Sequence, residues 1–277
     1  MKLPISLFWD LLLKIMVKNL MRVINMNRSE ILFLYDMADA NPNGDPLDDN
    51  KPRLDEETEI NLVTDVRLKR TIRDYLHDFK NEGIFIKEIH DVDGNVQDAK
   101  QRAMDYSSTG SKYDSINEAK EDLKKNIISE CIDVRLFGAT IPIEVKKKKS
   151  SVTLTGPVQF RMGRSLNKVE IQHIKGTGAF ASGKGKEQKT FREEYIVPYS
   201  LIAFYGVVNE NAAKWTNLTD DDIHLLLEGI WNGTKNLVSR SKFGQSPRFL
   251  IQIEYNEDNY FIGDLNNKIS RGTTLIQ

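Results

Sequence analysis

The stretch SEILFLYDMADANPNGDPLDDNKPRLDEETEINLVTDVRLKRTIRDYLHDF, residues 29–79, decides the fold. It opens on SEILFLYDM (29–37), a short apolar and aromatic run with polar flanks, which predicts a strand. It closes on NLVTDVRLKRTIRDYLHDF (61–79), which predicts a helix with Leu68, Ile72, Tyr75, Leu76 and Phe79 on one face. Between them lies DANPNGDPLDDN (39–50), a polar loop whose start, Asp39-x-Asn41-x-Asn43-Gly44, imitates a calcium-binding EF-hand loop. The imitation fails at the twelfth position, where a bidentate Glu is required and Asn50 stands. A strand also precedes the loop where a helix is needed, so calcium is not expected.

Outward from this unit, IFIKEI (84–89) reads as a short strand ending at the turn DVDGN. SINEAKEDLKKNIISECI (115–132) reads as a second helix, and DVRLFG (133–138) leads into another extended piece. KKKKSSVTLTGPVQFRMGRSL (146–166) passes from a basic loop into a strand, and the glycine-rich KGTGAFASGKGKEQK (175–189) reads as a mobile loop. TFREEYIVPYSLIAFYGVV (190–208) is a long extended run. TDDDIHLLLEGIWNGTKNLVSR (219–240) is a helix with Thr219 as N-cap and three acids in its first turn, which suits the helix dipole. Gly229 and Gly233 lie one turn apart, where a sheet could approach closely, and PRFLIQIEY (247–255) is a final strand. Stripped of insertions, the order is strand, helix, strands, helix, strand. That is an α+β fold of the ferredoxin-like, RNA-recognition type.

The formal net charge is −1, yet the charge is unevenly spread. Residues 146–192 hold 12 Lys/Arg against 2 Asp/Glu, and residues 36–59 hold 9 Asp/Glu against 2 Lys/Arg. Such asymmetry fits an anionic partner on one face, association of unlike faces, or two solvated loops. The single cysteine, Cys131, excludes an internal disulfide and a multi-cysteine zinc site, and fits a reducing cytoplasm. The four histidines, His77, His90, His173 and His224, are scattered, so no metal centre is expected. GAFASGKG (178–185) matches the start of a phosphate-binding P-loop, but Gly185 stands where Ser or Thr must hold magnesium. In residues 1–26, Asp10, Lys14, Lys18 and Arg22 interrupt the apolar run at every fourth position. Neither a membrane span nor a secretory signal has that form, and the segment reads as an extension outside the fold.

The motifs Asn41-Pro42-Asn43-Gly44-Asp45-Pro46, Asn50-x-Pro52-Arg53 and Thr64-Asp65-x-Arg67-Leu68-Lys69-Arg70-x-x-Arg73 carry a likeness. DVRLFG (133–138) and GPVQFRMGRSLN (156–167) continue it. In these residues the chain resembles the backbone subunit of type I CRISPR interference (Cascade) complexes, close to the I-B form, within the RAMP superfamily. The resemblance implies an RNA-recognition-like palm across 27–277, with inserted fingers near 84–132 and a thumb near 165–190. It also implies copies stacked head to tail on a CRISPR guide RNA, with other complex subunits and guide-paired target DNA as further partners. Neither a cofactor nor catalysis is implied. The apolar 1–26 segment departs from the family.

Within that resemblance the residues take roles. Arg67, Arg70 and Arg73, spaced three apart beside Lys69, form a row that can track phosphates or remain a solvated flank. Asn41, Asn43 and Arg53 belong to a loop suited to sugar and phosphate contacts, with Gly44 expected at positive φ. Arg161 and Arg164 flank Met162, which is either core or a wedge between bases. Lys184 and Lys186 suit a thumb reaching over RNA. Arg240, Lys242 and Gln245 lie in the turn between the last helix and strand, where RAMP proteins commonly meet RNA. The alternative is a RAMP-type ribonuclease using His77, His173, Asp39 or Asp45 for acid–base work, without a paired-histidine cluster to support it. A stand-alone RNA-recognition domain lacks its aromatic motif here.

Overall fold

The computed structural model describes residues 26–91, 93–108, 113–181, 189–257 and 260–269. The 1–25 segment and the loop carrying Lys184 and Lys186 lie outside the described residues. The chain begins with β1 (Ser29–Ala40), β2 (Gly44–Asp45), β3 (Lys51–Pro52), β4 (Leu54–Asp55) and β5 (Ile60–Val63), then helix α1 (Asp65–Lys80). Helices α2 (Ala99–Met104), α3 (Ile116–Glu130) and α4 (Ile132–Phe137) precede the strands β6 (Gly138–Val145) and β7 (Lys148–Thr155). β8 (Val158–Phe160), β9 (Gly163–Lys168), β10 (Gln172–Ala181) and β11 (Lys189–Val208) follow. The described part closes with α5 (Glu210–Thr216), α6 (Asp220–Lys235), β12 (Ser246–Glu254) and a 3₁₀ turn at Leu265–Lys268.

The central sheet runs β12-β1-β11-β9-β5-β4, with β8 also paired to β11. Counting β1, the β8/β9 pair, β11 and β12 as strands one to four, the spatial order is 4-1-3-2. With α1 and α6 as crossovers, that is the ferredoxin-like arrangement expected from the sequence. Alternation along β1 explains both faces. Ile31, Phe33 and Tyr35 join Ile202 and Phe204 of β11 under α1 and α6, with Leu68, Ile72, Leu76, Leu226 and Ile230 completing the core. Leu32 points the other way, packing with Tyr205 and with Leu265 of the 3₁₀ turn. Buried Glu30 holds that second cover: it accepts from the Tyr205 and Tyr255 hydroxyls and from the Ile262 and Gly263 N–H groups.

Helix α1 starts where Thr64 caps it by accepting from Arg67 N, and ends at Asn81 in the left-handed region (φ 57°). Helix α6 starts at a capping box formed by Thr219 and Asp222. The close approach at Gly229 and Gly233 is to α1, not to the sheet. A Cβ on Gly229 would sit 3.0 Å from Ile72 Cγ2, and one on Gly233 3.0 Å from the Thr71 carbonyl.

Between α1 and β8 the chain builds a second core from Phe85, Leu123, Ile127, Val134, Ile141, Val152 and Leu154. Between β9 and β11, β10 pairs with the first half of β11, Gln172 opposite Ile196, as a hairpin beside the β1-paired half.

Several local expectations are corrected. Ile84 and Phe85 are buried core contacts without strand pairing, and the nearest pairing is the lone bridge His90–Val96. Residues 61–63, expected as the start of the helix, belong to β5; residues 132–137 form α4, which carries Val134, Leu136 and Phe137 into the cores, and lead into strand β6 as expected. Of the basic run 146–149, Lys146 and Lys147 make the β6–β7 turn at φ 49° and 66°, and Lys148 and Lys149 already pair in β7. Residues 175–181, expected as loop, are strand. Gly44 is not among the positive-φ glycines; its need for glycine comes from Asn50, whose Oδ1 would lie 2.1 Å from a Cβ there.

Candidate nucleic-acid interface

The loop after β1 is tied down at both sides. Asn43 Oδ1 accepts from Thr64 N and Thr64 Oγ1, both at 2.8 Å, so the N-cap of α1 also anchors the loop. Asn41 is buried; its Nδ2 donates to the Asn50 carbonyl at 2.7 Å and its backbone N–H to the Ser241 carbonyl at 2.7 Å. Arg53 pairs with Asp45 at 2.8 Å, and its N–H donates to the Asn43 carbonyl at 3.2 Å. Loop 41–53, the first turn of α1 and the turn 239–245 therefore form one connected surface at the Ala40 end of β1.

Two cations of that surface form no ion pair among the described residues. Arg67 is half-buried; its Nη2 donates to Thr71 Oγ1 at 2.9 Å, while its Nε has no partner. Burial lowers its pKa, and the neighbouring Arg70 adds to this against the opposite pull of Asp74 and Tyr35. Lys242 is also half-buried, and its pKa is lowered first by burial and then by the charge of Arg67. Its Nζ reaches only Ser241 Oγ, at 3.3 Å. Among the described residues neither cation forms an ion pair. Gln245, in the same turn as Lys242, is buried with Nε2 unpartnered among the described residues, and the Nε of Arg53 is likewise unmet. Buried donors without acceptors cost about 1–3 kcal/mol each. Unmet donors favour an acceptor that arrives with a ligand, and a phosphate oxygen is one such acceptor.

The other expected residues divide by how firmly they are held. Lys69 pairs with Asp65 (3.1 Å), Arg70 with Asp74 (2.7 Å), Arg161 with Asp264 (2.7 Å), Arg164 with Asp55 (2.5 Å) and Arg240 with Glu194 (3.1 Å). The four arginines face solvent, where such pairs are worth about 0–1 kcal/mol and a phosphate can displace the carboxylate, whereas the Lys69 side chain is largely buried. Arg73 is different: its Nε binds fully buried Asp133 at 2.9 Å, and Asp133 also accepts from Phe85 N and Ile86 N. The three-residue spacing therefore does not give a row of equivalent cations, and Arg73 serves to fasten α1 to the second core. Met162 is 48% exposed, so it is not core. Arg161 and Met162 sit opposite Tyr205, toward the Ser29 end of β1, apart from the loop surface. The pairing of Arg67 with Lys242 was not legible, because no spacing links positions so far apart.

The residues named for acid–base work are not gathered. His77 contacts Asp78 and Lys87 in the last turn of α1, while His173 contacts Glu193 on the β10–β11 hairpin. Among the described residues there is no group of three or more His, Cys, Asp or Glu side chains that could hold a metal, and no helix long and apolar enough to cross a membrane.

The strand order 4-1-3-2 with two helical crossovers, carrying a second core between α1 and β8, defines a ferredoxin-like α+β protein. The profile of the family CRISPR-associated protein Cas7 matches residues 27–274. A CRISPR-associated protein Cas7 from Haloferax volcanii is 36% identical over 273 residues, covering 89% of this chain and 76% of that protein. The chain belongs to the Cas7 family, the backbone subunits of CRISPR RNA-guided surveillance complexes. Two solved chains share the fold at 12% identity. One, titled "CRISPR RNA-guided surveillance complex, pre-nicking", has a TM-score of 0.52 and covers 81% of this chain and 77% of its own. The other, titled "CRISPR RNA-guided surveillance complex", has a TM-score of 0.51 and covers 90% and 78%.

Proposed function

We propose that the protein is a non-catalytic, guide-RNA-binding scaffold that repeats along a CRISPR RNA and works in the cytoplasm with the other subunits of an interference complex. The observation that carries this reading is the Arg67–Lys242 pair, two half-buried cations with no carboxylate between them. Loop 41–53 shapes an anion seat there, and Arg53, Arg70, Arg164 and Arg240 supply exchangeable cations around it, beside Lys69. In this reading the unit between α1 and β8 is the finger insertion, and the β10–β11 hairpin, with Lys184 and Lys186 in its loop, is the thumb. Such contacts hold phosphates and leave base edges free to pair with target DNA.

The test is incubation of purified protein with a guide-type RNA long enough for several copies. Regular filaments containing intact RNA, seen by electron microscopy and gel analysis, are expected. Protein that stays monomeric on the RNA, or that converts it to discrete cleavage products, overturns the proposal.

A further inference from the structure

Two exposed features at opposite ends of the molecule complement each other. The first is the tip of the acidic loop. Leu47 is 96% exposed, held in a turn where its N–H donates to Asp45 Oδ1 at 3.1 Å and Asp48 N donates to the Asp45 carbonyl at 3.1 Å. Asp48 and Asp49 follow it. Among the described residues Asp48 pairs with the half-buried Lys51 alone, and Asp49 forms no ion pair. The tip thus presents one apolar side chain followed by two carboxylates.

The second feature is a groove of about 690 Å³ between α3 and α5. Trp215 forms one wall and is 70% exposed. Lys124, Lys125 and Lys214 surround it, and none of the three has an ion-pair partner among the described residues. Arg135, also on the wall, is already bound to Asp222, which leaves Glu121 as the only lining carboxylate without an ion pair among the described residues. An exposed indole ringed by lysines suits an apolar side chain that arrives with carboxylates.

The two features cannot meet within one chain. The tip follows Ala40, the last residue of β1. Helix α5 follows Val208, which pairs with Ser29, the first residue of β1. Twelve residues of strand separate them, roughly 35–40 Å at about 3.3 Å per residue. A complementary pair at opposite ends makes a heterologous contact, which propagates from copy to copy as an open array. We propose that the Leu47–Asp48–Asp49 tip of one copy seats in the Trp215 groove of the next. This rests on the reading that copies assemble along RNA.

The experiment uses full-length chains on RNA of one-copy and of many-copy length. The L47C/K214C double variant is treated with a short thiol-specific bifunctional cross-linker on many-copy RNA. The native Cys131 is fully buried, and burial pushes its thiol up to about 11, so it does not compete. A ladder of covalent multimers on long RNA, absent on one-copy RNA, is expected. In parallel, D48K/D49K should reduce assembly on long RNA on the order of fivefold relative to the same variant's own one-copy binding. Mixing D48K/D49K with K124E/K125E should restore contacts between unlike copies. Filaments without a ladder and without rescue overturn this inference but leave the scaffold intact. Failure of the wild type to form filaments overturns both. If K124E/K125E weakens one-copy binding, the groove takes single-stranded nucleic acid stacked on Trp215 and the inference fails.

Discussion

Lys242 gives the sharpest test of the anion seat, because its removal should move stability and RNA affinity in opposite directions. In the RNA-free protein its charge is penalised by burial and by Arg67, and among the described residues only Ser241 Oγ answers it. Lys242→Met keeps the aliphatic stem and removes the charge. The free protein should gain on the order of 1 kcal/mol, the lower end for relieving an unmet buried polar group. For a chain of this size that raises Tm by about 2–4 °C. On RNA the variant loses a charge-assisted contact worth about 1.5–3 kcal/mol, or roughly 10- to 150-fold in Kd for one copy. Losing one phosphate contact also lowers the log–log salt slope by about 0.7, so the deficit should shrink about 2.6-fold between 50 and 200 mM salt.

The pH dependence has a definite sign. Lys242 has a folded pKa below the unfolded lysine value, so its charged form opposes folding at neutral pH. Stability therefore rises as pH climbs through the folded pKa toward the unfolded one. A bound phosphate raises that pKa again, so binding takes up a proton in the same alkaline window and RNA affinity falls there. Arg67 remains charged throughout. The assays are thermal melting of the free protein and fluorescence anisotropy with one-copy RNA at two salt concentrations and several alkaline pH values. A Lys242→Met protein with lowered Tm, or with unchanged affinity and salt slope, refutes the anion seat.

Arg73→Ala should act on folding: stranding buried Asp133 costs about 3–5 kcal/mol, read as a fall in the urea midpoint, while folded protein keeps the wild-type RNA salt slope. Gly44→Val places Cβ against Asn50 and should abolish assembly on RNA with the monomer still folded by circular dichroism; equal filament formation would count against the rigid loop. At Glu30, burial favours the neutral acid, but donation from Tyr205, Tyr255, Gly263 and Ile262 outweighs it and the pKa is lowered. Its contribution is present above the unfolded carboxylate value and lost as pH falls through the folded pKa. Limited acid proteolysis should therefore cut near 260–265 only below that point, whereas Glu30→Gln should be cut there at neutral pH.

Much of the palm was legible because its signals are local. Thr64 and Thr219 cap helices through their own next turn, and the apolar faces of α1 and α6 repeat at helical spacing. Strand β1 is buried on both faces, and such a run reads as strand whatever covers it. The insertions were harder. Ile84 and Phe85 look like a strand because they are apolar, but their burial comes from the second core, which forms only when α3, α4 and the β6–β7 hairpin close over them. The glycines of β10 suggested a loop, yet long β11 supplies a pairing edge that overrides weak strand propensity.

The same division of local and distant information governs the site. Spacing placed Arg67, Arg70 and Arg73 together on α1, but it could not say which acids would meet them. One pairs within its own helix, one is drawn inward by Asp133 from α4, and one is left facing Lys242 from the far end of the chain. Among the described residues only the third has no ion-pair partner. A periodic cation pattern therefore names candidates, and the tertiary supply of carboxylates chooses among them. In a chain with 39 basic and 40 acidic residues, a half-buried cation without a carboxylate is a more specific mark of an anionic partner than any local excess of lysine.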